Sequence, residues 1–77
     1  MLFNVVQRTW HPDTVPGQRG PGVLRVETIA TYSTRSEAEA TAKTTAAGYA
    51  AHGYNKEQGY WWGRDDRFRY TFAIETR

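Results

Sequence analysis

From Phe68 to Glu75 the side chains alternate without interruption: Phe68, Tyr70, Phe72 and Ile74 stand against Arg69, Thr71, Ala73 and Glu75. A period of two is the mark of a strand, because successive side chains point to opposite faces of the pleat. One apolar and one polar face place that strand in a half-buried antiparallel sheet, with a core on one side and an open surface on the other. Just upstream, Tyr60-Trp61-Trp62-Gly63 reads as another strand, and Arg64-Asp65-Asp66-Arg67 as the turn between them. Alternation has a sharper consequence here. Two neighbouring Trp cannot both face one core, so a large ring lies on each side of the sheet. If residues 63 and 68 bracket the turn, Trp61 joins Phe68, Tyr70 and Phe72 in the core. Trp62 and Tyr60 then lie outside, near Arg64, Arg69 and Thr71. A loop one residue shorter exchanges the two Trp.

The N-terminal half supplies two more strands. Residues 2–10 mix β-branched and aromatic residues without Gly or Pro. Residues 23–33 put Leu24, Val26, Ala30 and Tyr32 on one side and Arg25, Glu27 and Thr31 on the other. Between them, residues 11–22 hold three Pro (12, 16, 21) and three Gly (17, 20, 22), which predicts a long flexible loop. Gly17 to Gly22 has a superficial likeness to a phosphate cradle, but a strand follows it where a cradle needs a helix N-terminus.

A helix is expected over about residues 36–52. Thr34-Arg35-Ser36-Glu37 and Ser36-Glu37-Ala38-Glu39 both fit a capping box, and Glu39 and Lys43 are spaced for an ion pair. Its inward stripe is Ala38, Ala42, Thr45, Ala46 and Tyr49, and Gly53 looks like its terminating residue. So small a stripe lets the helix approach the sheet closely and leaves the bulk of the core to the sheet. Composition agrees. Leu, Ile, Val and Phe number only 12 of 77 residues, while Trp, Tyr and Phe number 11. Rings bury roughly 150–250 Å² each and replace the missing aliphatics. The expected fold is α+β in the order β-β-α-β-β: an antiparallel sheet of about four strands with one helix packed on one face. Residues 1–77 are expected to form a single domain. That order is shared by many small bacterial proteins of no assigned activity.

Composition also removes whole classes of function. Without Cys there is no disulfide, thiolate metal site or thiol nucleophile. His11 and His52 are the only histidines, too few for a catalytic zinc site, and no metal or cofactor is expected. His11-Pro12-Asp13 offers a proton-transfer pair but no nucleophile to complete it, so the chain reads as a non-enzyme. No apolar run is long enough for a membrane helix, and Met1-Leu2-Phe3-Asn4 lacks a basic, apolar leader, so a cytoplasmic location is expected.

What is left is the open sheet face. Its outward ring is covered either by the 11–22 loop or an Arg stem, or else by a partner, since Trp, Tyr and Arg are enriched at interfaces. The leading expectation is an interaction module, a homodimer or a binder of a small protein, with Tyr60, Trp62, Arg64 and Arg69 at the contact. The alternative is a nucleic-acid-binding domain using the same residues with Arg19 and Arg67. Against it stand the net charge of only +2 and the adjacent Asp65 and Asp66, expected to pair with the Arg side chains.

Overall fold

Five strands and one helix make up the described residues, 1–11 and 22–77, of a computed structural model: β1 (Phe3–Trp10), β2 (Val23–Tyr32), α1 (Arg35–Ala47), β3 (Ala51–Asn55), β4 (Tyr60–Arg64) and β5 (Arg69–Thr76). The strands form one antiparallel sheet in the order β2-β1-β5-β4-β3, with α1 on one face. This is the α+β architecture expected from the sequence, with β3 as an added edge strand. Of the predicted 11–22 loop, residues 12–21 lie outside the described residues.

The helix begins where its cap residues put it. Thr34 Oγ1 accepts the Glu37 N–H at 3.3 Å and donates to Glu37 Oε1 at 2.7 Å. Glu39 pairs backwards with Arg35 at 3.2 Å rather than forwards with Lys43. The end comes at Ala47, one turn and more before the expected stop. Gly48 and Tyr49 close it with short-range bonds, Gly48 N–H to Thr45 O at 3.2 Å and Tyr49 N–H to Ala46 O at 3.1 Å. Residues 51–55 leave the helix because they pair with β4. Their hairpin is set by Asn55, whose Oδ1 accepts the Gln58 N–H at 3.0 Å, and by Gly59 at φ +76°. Gly53 is thus a mid-strand residue and not a helix terminator.

Three buried alanines, Ala38, Ala42 and Ala46, bring α1 down onto Val5 and Phe72. Tyr49 follows them and lies on the sheet at Gly63, where an added Cβ would stand 2.5 Å from Tyr49 Cδ2. The Tyr49 ring stacks on Tyr70 with centroids 4.6 Å apart and 21° between planes, and on Phe72 at 6.2 Å. Phe68 meets Tyr70 edge-on at 6.4 Å. Rings from β5 therefore interlock with one ring from the turn that follows the helix, as the aliphatic-poor composition requires.

Strand β2 departs from simple alternation. Val5 faces Ala30 but Val6 faces Thr28, and Thr9 faces Arg25 but Trp10 faces Val23, so Ile29 and Leu24 are bulged. The first bulge inverts the faces. Ala30 and Tyr32 lie on the helix side, whereas Val26 and Thr28 share the far side with Arg8 and Val6. The single apolar side read from residues 24, 26, 30 and 32 is corrected accordingly.

Candidate functional site

The two Trp separate as alternation demands. Trp61 lies on the helix side against Tyr54, ring centroids 4.6 Å apart. Trp62 is on the open face. The β4–β5 turn closes at Arg64↔Arg69, two residues shifted from a 63–68 bracket, which preserves the parity and hence the sides. One open-face row runs Val26, Arg8, Thr71, Trp62 and Gly53 across all five strands, and the next runs Val23, Trp10, Arg69, Arg64 and Ala51.

Gly53 decides how Trp62 lies. A Cβ there would stand 2.9 Å from Trp62 Cζ2 and 3.0 Å from Cε2 and Nε1, so the indole rests directly on the β3 backbone. On β1, Trp10 is anchored by its Nε1–H, which donates to Thr71 Oγ1 at 2.9 Å. Asn55 Nδ2 donates to the Tyr60 hydroxyl at 3.3 Å and orients that ring. Between these side chains a shallow cavity of about 200 Å³ is lined by Asn55, Tyr60, Trp62, Gly63, Arg64, Arg69 and Tyr70. Tyr60, Trp62, Arg64 and Arg69, picked out from sequence, all border it.

The charges on this face are unevenly satisfied. Arg8 is held by Glu75 at 2.7 Å. Arg64 and Arg69 stand directly opposite one another, and neither has a carboxylate within 4.0 Å among the described residues. The expected pairing with Asp65 is not made. That carboxylate serves its own turn: Oδ1 accepts the Arg67 and Phe68 N–H groups at 2.8 Å each, and Oδ2 accepts the Tyr70 hydroxyl at 3.2 Å. Those backbone bonds, Phe68 first, hold the Asp65 carboxyl below the usual range. Burial, then the bond to Asp65, raises the Tyr70 phenol, and burial raises Tyr49.

Other candidates are not gathered here. Arg67 is exposed in the turn, and Arg19 lies outside the described residues. So does Asp13, the supposed partner of His11. His52 sits in β3, with Nδ1 3.1 Å from Tyr49 O, and not at a helix terminus. No group of three His, Asp or Glu that could hold a metal occurs among the described residues, and no helix among them is long and apolar enough to cross a membrane. Sequence reasoning did not assign Trp10, Gly53 or Asn55 to the open face. Trp10 was within reach, since it shares the even-numbered face of β1 with Val6 and Arg8. Comparison with protein-family models, with curated proteins and with solved structures finds no match to this chain.

Proposed function

We propose that this chain is a non-enzymatic binding module whose open sheet face takes single-stranded nucleic acid. The observation that carries the reading is the Arg64–Arg69 pair, without a carboxylate partner among the described residues and bordering the flat Trp62 ring. Like charges placed directly opposite on neighbouring strands repel. A phosphate seated between them relieves that repulsion, and guanidinium forks suit phosphate oxygens. An indole laid flat on a strand offers a π-face on which any base can stack. Stacking beside paired cations is the combination by which single strands are held without sequence readout.

Self-association through this same face fits less well. A two-fold contact centred on this pair would set Arg64 and Arg69 against a second positive pair. The non-enzymatic reading rests on the residues themselves. Tyr60 alone of the four could serve as a nucleophile, and among the described residues its hydroxyl is bonded by the Asn55 amide, which is no base.

Quenching of Trp fluorescence by a short oligothymidylate tests the proposal. Salt-sensitive binding is expected, weaker for a duplex of equal length. Trp62→Leu keeps Gly53 covered but removes the π-face, and weakens binding about tenfold without lowering the melting temperature. Absence of salt-sensitive binding at low ionic strength refutes the reading.

A further inference from the structure

The sheet has two edges, and they are built differently. Strand β3 is five residues long and contains Gly53, whereas β2 runs for ten residues without Lys or Pro. Short strands, Lys, Pro and bulges are the usual means of blunting an edge, and the two bulges of β2 leave residues 25–28 between them regular. The aliphatic side chains are also unevenly spent. In a chain so short of them, Val23, Leu24, Val26 and Ile29 are 43%, 53%, 54% and 37% exposed, all on β2. The core takes only Val5, Val6 and part of Ile74 from the aliphatics, and is otherwise made of alanines and rings.

We infer that a second copy of this chain pairs with it edge to edge along β2, antiparallel, about a two-fold axis at Val26. Charge selects that register. Centred on Val26, the pairing sets Arg25 against the partner's Glu27 and Glu27 against the partner's Arg25. Within one chain these two already share the helix side, Arg25 Nε 3.4 Å from Glu27 Oε1, with the Arg25 side chain 72% exposed. The pairing therefore yields a ring of four alternating charges. On the other side Val26 meets the partner's Val26 at the axis, and Val23 comes opposite the partner's Ile29. Shifting the register by two residues removes both cross-strand ion pairs. The bulges at Leu24 and Ile29 flank the segment 25–28, whose register with β1 is regular, so the pairing segment is a straight one. The result is one continuous ten-stranded sheet, and burial of the four aliphatics accounts for where the sequence spends them.

The edge is separate from Arg64, Arg69 and Trp62, which lie on β5 and β4, two and three strands away. Light scattering on the purified full chain at high micromolar concentration reads the outcome. Wild type is expected at twice the chain's 8.8 kDa. Arg25→Glu faces each Glu27 with a second carboxylate and raises the dissociation constant by about ten- to a hundredfold. The double exchange R25E/E27R restores opposite charges and with them the dimer. Circular dichroism confirms that each variant is folded. A monomeric wild type overturns the inference. So does a folded double exchange that stays as weak as Arg25→Glu, since both pairs would then be re-formed to no effect.

Discussion

Gly63→Ala is the most informative single change to the core. The new methyl would stand 2.5 Å from Tyr49 Cδ2, 2.9 Å from Cγ and 3.1 Å from Cβ. These atoms belong to the root of the Tyr49 side chain, which has no freedom to swing aside. Behind it the ring is stacked on Tyr70 at 4.6 Å, so the strain must spread to the backbone of α1 or β4. Overpacking of this kind costs about 1–3 kcal/mol, and the smaller unfolded-state entropy of Ala returns about 0.5–1 kcal/mol. The net loss is about 1–2 kcal/mol. For a domain of this size that lowers the melting temperature by about 5–15 °C. Gly53→Ala is the control. Its methyl would meet Trp62 Cζ2 at 2.9 Å, but this is the far edge of a partly exposed ring that can lift toward solvent. Thermal melts followed by far-UV circular dichroism should show Gly63→Ala shifted and Gly53→Ala within about 3 °C of wild type. If Gly63→Ala melts with wild type, Tyr49 is not pinned against the sheet and the account of the core fails.

Other expectations follow from the caps and the turn. Thr34→Ala removes the acceptor for Glu37 N–H and should cost about 1 kcal/mol, or about 4–8 °C in a thermal melt. Asp65 titrates lower in the folded chain than in the unfolded one, so its contribution to stability is present above the ordinary carboxylate range and is lost as pH falls through the folded value. Urea unfolding across acidic pH should therefore show a decline that Asp65→Ala flattens. Tyr70 is shifted the opposite way, and the unfolded chain releases that proton first. Stability should fall as pH rises past about 10, and less so in Tyr70→Phe.

How much of this was legible follows from where local pattern and tertiary structure agree. Strand β5 was readable because its alternation is unbroken and its neighbours on both sides keep the same register. The division of Trp61 from Trp62 needed only parity, so a turn misplaced by two residues left it intact. Strand β2 misled because bulges are invisible to a period-two pattern, and one extra residue at Ile29 moved Val26 to the other face. The start of β3 fell inside the expected helix because Ala50, Ala51 and His52 continue a helical composition, and Gly53 read as its stop, while the pairing with β4 is a tertiary choice. The Asn55–Gly59 turn was the available signal. On the open face, residue types and side were readable, but the fate of Asp65 was not. Sequence proximity suggested an Arg partner, whereas the geometry of a tight turn gave both oxygens to amides and a phenol.

The central claim is that Arg64 and Arg69 form an open phosphate site beside Trp62. Its most direct test is the salt dependence of oligothymidylate affinity for wild type and for R64A/R69A. Each phosphate contact on a single strand contributes about 0.7 to the slope of log K against log salt. Loss of the one phosphate that the pair shares should make the slope of the double variant shallower by about 0.7, with no fall in melting temperature. An unchanged slope, or no binding by the wild type at low salt, contradicts the claim.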